Sequence, residues 1–304
     1  METNGKECAI TNTTISATDE YQLHATIFQP HQITNQQLLL VIVAPAAAVR
    51  RNYYFPYCEY LASLGHVAVT FDYRGIGDSA PKNLRGFQAS MSDWGLRDVA
   101  GVIEWCAHEY PNHQLCYIGH SIGGHLSGTP WNKHKLSRVI TVASLNAYWG
   151  NSRHPWFYYF FWKVFFMFFM KLFGYFPGRK LGVMEDTPYG VAYQWREWAM
   201  HPFYLCSVPE LRERLANLDV PMLSYSVSDD EYAGFSAVYN FHQFFKAADK
   251  TFVHIKPSDL NVKSIRHMGF FHSQFKETLW KDTVRFFSGS QTSFKTQPVL
   301  QAKL

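Results

Sequence analysis

Residues 9–28 read as two strands around the turn Ala17-Thr18-Asp19-Glu20, an antiparallel start. The run Leu38-Leu39-Leu40-Val41-Ile42-Val43 then has no polar position at all and ends at Pro45. Uninterrupted short runs of that kind fit strands buried on both faces of a parallel sheet. A helix is predicted near 57–64, closed by Gly65, and a strand over 66–72. Leu96, Val99, Ile103 and Cys106 recur at helical spacing, with Ser92 and Asp93 as the expected N-cap of a helix reaching Glu109. Further strands are expected at 114–118, 139–143, 222–227 and 252–255, with helices after Gly119, near 235–245 and over 274–287. This alternation predicts an α/β fold, a mostly parallel central sheet with helices on both faces.

The alternation breaks between about Leu145 and Pro209 and then resumes. The expected organisation is therefore a core over 1–144 and 210–288, an inserted cap over 145–209, and a frayed tail over 289–304. Composition sharpens the cap. From Trp156 to Phe176, 14 of 21 residues are aromatic, in a chain where aromatic residues already make up 17% and charged residues only 17%. Length alone would allow a membrane span, but Lys163 and Lys171 lie inside it, each costing about 2.5–3.5 kcal/mol at mid-bilayer. Three readings stay open. The block is a cap helix lining a pocket, a helix lying in the lipid interface with its lysines snorkelling, or an oligomer interface.

The remaining composition mostly excludes. A net charge of +4 without a dense Lys/Arg run gives no sign of a nucleic-acid partner. Cys8, Cys58, Cys106, Cys116 and Cys206 are scattered, odd in number and form no CxxC pair. A reduced chain without structural zinc is expected, and no other metal or organic cofactor is called for. The N-terminus lacks the basic and then apolar stretch of a signal peptide. The expected location is cytoplasmic, peripheral to the membrane if residues 156–176 touch lipid.

Gly119-His120-Ser121-Ile122-Gly123-Gly124 matches G-x-S-x-G directly after a predicted strand. A serine hydroxyl presented on a sharp strand-to-helix turn needs neighbours without a Cβ, and the following helix directs its positive end at the reaction centre. Ser121 is the candidate nucleophile. His120 and His125 flank it and read as structural or substrate-lining. A triad on such a fold runs Ser, then acid, then His. The strand 222–227 ends in Ser228-Asp229-Asp230-Glu231, so Asp229 is the first choice of acid and Asp230 the runner-up. His267, in the loop before the closing helix, is the candidate base, with His272 as alternate. The oxyanion donors are assigned as the N–H groups of Ile122 and Ala47, with Ala46 as a further candidate in the small-residue loop Ala44-Pro45-Ala46-Ala47-Ala48-Val49. Trp156, Trp162 and Trp195 are the candidate substrate-lining residues.

Gly75-Ile76-Gly77-Asp78-Ser79-Ala80 imitates a dinucleotide fingerprint, but Pro81 and Gly86 argue against the long helix such a site must open. A turn bracing the rim of the site, with Arg74 and Asp78 in structural hydrogen bonds, is expected instead. With these residues assembled, the chain resembles the α/β-hydrolases of the serine aminopeptidase and monoacylglycerol lipase group, and more narrowly the uncharacterised predicted bacterial α/β-hydrolases of that group. The likeness is carried by Gly119–Gly124, Phe71–Ser79, the loops at Asp229 and His267, and the cap stretches 174–178 and 194–198, and it covers roughly residues 10–288. Where many relatives have His-Gly, this chain has Ala44-Pro45. The resemblance implies ester, thioester or amide hydrolysis on an α/β-hydrolase fold with an aromatic-rich helical cap. A small-molecule substrate with an apolar part is expected, cleaved through an acyl-enzyme. The rival expectation is a non-catalytic or acyltransferase member whose aromatic cap binds a membrane or a partner.

Overall fold

The computed structural model describes residues 8–31 and 38–298. Its strands are β1 (Cys8–Ser16), β2 (Gln22–Pro30), β3 (Leu39–Ala44), β4 (Val67–Phe71), β5 (Gln114–His120) and β6 (Arg138–Val142), followed by β7 (Tyr175–Phe176), β8 (Thr187–Pro188), β9 (Met222–Val227), β10 (Lys250–Ile255) and β11 (Thr296–Gln297). Nine of these form one sheet in the order β1-β2-β4-β3-β5-β6-β9-β10-β11, while β7 and β8 pair with each other. Pairing is antiparallel from β1 to β2 and from β2 to β4, then parallel from β4 through to β10.

The apolar run in β3 is explained by its place in the middle of that sheet, where every residue is buried. Successive side chains point to opposite faces. Leu40, Ile42 and Ala44 accordingly join the core on one face, and Leu39, Val41 and Val43 the core on the other. Parallel strands align their C-terminal ends, so the loops after β3, β5, β9 and β10 converge at one edge, the usual place for a site in such sheets.

The helical stretch 91–109 starts two residues earlier than expected. Ser90 caps it, accepting the Asp93 N–H at 3.1 Å while the Asp93 carboxylate accepts the Ser90 N–H at 2.8 Å. The insert over 145–209 is aromatic-rich and largely helical, with a helical run over 155–173 and a second helix, Tyr189–Ala199. It has no core of its own. Trp162, Phe166, Met170, Phe176, Val191 and Trp198 belong to the same buried cluster as Leu40 and Ile42. Gln194 and Ser92 exchange hydrogen bonds of 2.7 and 2.8 Å that tie it to the helix over 91–109.

The expectation of a frayed tail from Gly289 does not hold as far as Pro298. β11 pairs antiparallel with β10, and Thr292 and Ser293 donate to the buried Asp282 carboxylate at 2.6 Å each. A polar segment can order when a buried carboxylate needs donors, which composition does not reveal. Residues 299–304 lie outside the described residues.

Candidate active site

Ser121 sits at φ 52°, ψ −115° between β5 and the short helix Ile122–Leu126. This is sparsely populated backbone for a residue with a Cβ, and it persists only where the surroundings enforce it. They do. Its N–H donates to Val142 O at 2.8 Å, and its carbonyl accepts from Ser144 Oγ at 2.8 Å. The chain also packs too closely here for larger residues: a Cβ on Gly119 would fall on the backbone of Gly123 and Gly124, and one on Gly123 on the carbonyl of Ala44. That second approach sets the elbow against the loop after β3.

Within this loop the Ala46 N–H is already engaged, donating to Tyr54 Oη at 2.8 Å. Ala46 is therefore no oxyanion donor. The N–H groups of Ala47 and Ile122 donate to no such partner among the described residues. Ala48 holds φ 54°, and its carbonyl accepts the Glu185 N–H from the insert at 3.1 Å.

His267 meets an acid, and the acid is Asp230. His267 Nδ1 donates to Asp230 Oδ2 at 2.8 Å, and the Asp230 side chain is fully buried. Its other oxygen accepts the N–H groups of Tyr232 and Ala233 at 2.8 and 2.9 Å. Burial pushes the Asp230 carboxyl up, but the bond and charge of His267 and these two N–H donors outweigh it and hold the carboxyl below its usual range. The first-choice acid, Asp229, does something else. Its two oxygens accept the N–H groups of Ile265 and Arg266 at 2.9 and 3.1 Å. The reason is local. The ladder runs one residue past β9, with Ser228 N–H on Ile255 O, and a turn closed by Asp230 N–H on Val227 O then carries the second aspartate inward.

The loop bearing His267 is thus held from several sides. Asp229 braces Arg266, which has φ 57°, and Tyr53 Oη donates to Met268 O at 2.6 Å. His120 Nε2 donates to the His267 carbonyl at 3.0 Å. That acceptor fixes the tautomer, so Tyr54 Oη must donate to His120 Nδ1, at 2.8 Å. Burial lowers the His120 pKa to about 3, so the ring stays neutral. A single chain of hydrogen bonds therefore runs from the Ala46 N–H through Tyr54 and His120 to His267. It joins the loop after β3 to the loop bearing His267 beside Ser121, with His120 and His267 rings 5.2 Å apart. No hydrogen bond joins Ser121 Oγ to His267, a common slack in sites without substrate. The other histidines are placed elsewhere. His272 packs near Tyr53, with centroids 6.3 Å apart, His254 meets Ser226 Oγ, and His125 donates to Leu145 O.

The three tryptophans are not brought to this site by any ring contact or hydrogen bond. Trp156 is 67% exposed on the outer side of the insert. Trp162 is buried within it, 5.2 Å from Trp195. From the insert side, aromatic rings approach His267 through Tyr232, with its ring 5.4 Å from His267, and Tyr158, 6.5 Å from Tyr232. Tyr232 follows Asp230 by two residues, the one sequence signal that would have found it. In the glycine-rich stretch after β4, Arg74 pairs with Asp98 and Asp19, and Asp78 with Arg50 and Arg51. Gly77–Ser79 makes only one turn of helix, as a bracing role requires.

This sheet order and elbow are those of the α/β-hydrolase fold. Within it, residues 37–175 match the family model described as serine aminopeptidase, S33. No curated protein sequence matches the chain. Among solved structures, the esterase Pf2001 of Pyrococcus furiosus is similar at 15% identity and a TM-score of 0.60, covering 95% of this chain and 94% of that one. A serine hydrolase of Xanthomonas campestris, described as lacking a lid, shares 16% identity at a TM-score of 0.53, covering 98% and 99%. Est1E of Butyrivibrio proteoclasticus, solved with ferulic acid bound, shares 12% identity at a TM-score of 0.57, covering 91% and 99%. At such identities the likeness establishes the fold.

Proposed function

We propose that the protein is a serine hydrolase cleaving a carboxylic ester whose acyl or alcohol part is apolar. The observation that carries this reading is the convergence of a strained Ser121 elbow with a His267–Asp230 pair at one edge of the sheet. Ser121 Oγ attacks the carbonyl carbon while His267 Nε2 takes its proton. The N–H groups of Ile122 and Ala47 hold the oxyanion. The tetrahedral adduct collapses, the alcohol leaves with the proton from His267, and water, activated by the same ring, releases the acid and restores Ser121. Asp230 keeps the imidazole in the tautomer with Nε2 unprotonated and stabilises the imidazolium.

An aminopeptidase would need a carboxylate to hold the substrate's free amine, and the acids of the insert are committed elsewhere. Glu185 pairs with Arg179, Glu197 pairs with Arg196, and Asp186 accepts the Arg179 N–H. This favours an ester over a peptide, as do the aromatic rings of Tyr232 and Tyr158 beside the base.

The test is a panel of p-nitrophenyl esters of graded chain length, run on wild type and Ser121→Ala. Activity should rise from acetate towards longer chains and fall by about 10⁴-fold or more in Ser121→Ala. Equal turnover by the two proteins would refute the assignment.

A further inference from the structure

The helical run over 155–173 is apolar on both sides. Trp162, Phe166 and Met170 are buried against the protein. On the outer side Trp156, Phe157, Phe160, Val164, Phe168 and Leu172 are each 56–67% exposed. A helix on a soluble surface normally sets polar residues opposite its buried stripe, and a contiguous exposed apolar patch marks a contact surface. The segment is long and apolar enough to cross a membrane. Its inner rings prevent that: Phe166 stacks on Phe176 at 4.2 Å and Trp162 meets Trp195 at 5.2 Å, so the helix is fastened along the protein.

Charge selects what covers the outer face. No Asp or Glu occurs between Glu109 and Glu185. The basic side chains Lys163, Lys171 and Lys180 are exposed on the run or just beyond it. Lys163 lies over the Tyr159 ring at 4.9 Å and Lys180 over Phe173 at 4.8 Å. Lys171 is exposed between Phe168 and Leu172 in the apolar stripe itself. A second copy of this chain packed stripe to stripe would bury that ammonium against a helix with no acid of its own, at a high desolvation cost. A lipid surface carries no such penalty, because the lysine stems lie along the rings while the ammonium groups reach phosphate.

We propose that this face docks in the plane of a phospholipid leaflet rich in anionic headgroups, with the aromatic side chains in the acyl boundary and Lys163, Lys171 and Lys180 on phosphate. Tyr158 places the start of the helix two ring contacts from His267, so docking brings the edge bearing Ser121 towards lipid. The docking does not depend on the hydrolytic reading, and either stands if the other fails.

Flotation with preformed vesicles tests it, using phosphatidylcholine alone and phosphatidylcholine mixed with phosphatidylglycerol. The protein should float with the anionic vesicles, and at least about 10-fold less with the neutral ones, the gap closing at high salt. Phe160→Glu with Phe168→Glu should weaken partitioning by about 100-fold. Both positions are exposed, so the circular dichroism spectrum and Tm should not change. Lys163→Glu with Lys171→Glu should cost about 10-fold on anionic vesicles only. Absence of flotation with the anionic vesicles, or binding that survives the double Phe change, would overturn the proposal. Equal flotation on both vesicle types would overturn the anionic headgroup. A dimer in sedimentation velocity that the double Phe change dissociates, without vesicle binding, would assign the face to a second copy instead.

Discussion

The loops at the C-terminal edge of the sheet and the outer face of helix 155–173 are opposites in one respect. At the edge the polar groups that frame the loops are paired. Asp229, Asp230, Tyr53, Tyr54 and His120 spend their hydrogen bonds on fixing the two loops that flank Ser121. On the helix, large apolar side chains stand more than half exposed to solvent. The edge is built to hold atoms in place, which catalysis by positioned groups requires. The outer face is built to be covered. Both depart from ordinary local preference, one through strained backbone and one through exposed rings, and such departures concentrate where a protein works.

The sharpest way to break the first half of this contrast is to separate two adjacent carboxylates. Asp230→Asn should lower kcat for ester hydrolysis by about 10⁴-fold, because the amide can no longer hold the productive tautomer of His267. Asp229→Asn should cost about 10-fold, since it loosens the base loop without touching the imidazole. Steady-state kinetics on both variants decides it. Similar losses in the two would mean that bracing and charge are not divided as described.

The second half is broken by two tryptophans. Trp162→Ala empties a buried ring site and should lower stability by about 3–5 kcal/mol. Trp156→Ala removes a ring from solvent and should change stability by less than about 0.5 kcal/mol. Chemical denaturation of the two variants measures the difference.

Stability should also respond to pH. Burial lowers the pKa of His120 and His125 to about 3 and of His242 to about 4, from the usual 6.5. Between those values the unfolded chain binds protons that the folded chain refuses. Stability should therefore fall as pH drops from about 6.5 towards 4, at up to about 1.4 kcal/mol per pH unit for each histidine. The lowered carboxyl of Asp230 adds to the loss only at the acid end, below its unfolded value. Asp98 pulls the other way. Burial lifts it to about 7 against the charge and bonds of Arg74, so its contribution is lost as pH rises. One group opposes three, and denaturation midpoints at stepped pH should still decline towards acid.

Much of this was legible in the residues. The unbroken apolar run of β3 has one physical explanation, a strand buried on both faces, and the glycines around Ser121 have one as well, a turn where a Cβ would strike backbone. What was not legible depended on rotation and closure. Which of Asp229 and Asp230 faces His267 is set by a turn one residue beyond the strand, and spacing alone does not reveal a turn. Which tryptophans face inward is set by the rotation of a helix that is apolar all round, so no periodicity distinguishes Trp156 from Trp162. The pairing of β11 with β10 goes with donors turned onto the Asp282 carboxylate, whose burial composition does not reveal.

The proposed chemistry turns on Ser121 as a nucleophile. Treating the protein with a fluorophosphonate and measuring intact mass, then locating the adduct by peptide mapping, addresses that directly. One adduct per chain, on the peptide holding Ser121 and absent from Ser121→Ala, is the expected result. Equal labelling of the Ser121→Ala protein would contradict it.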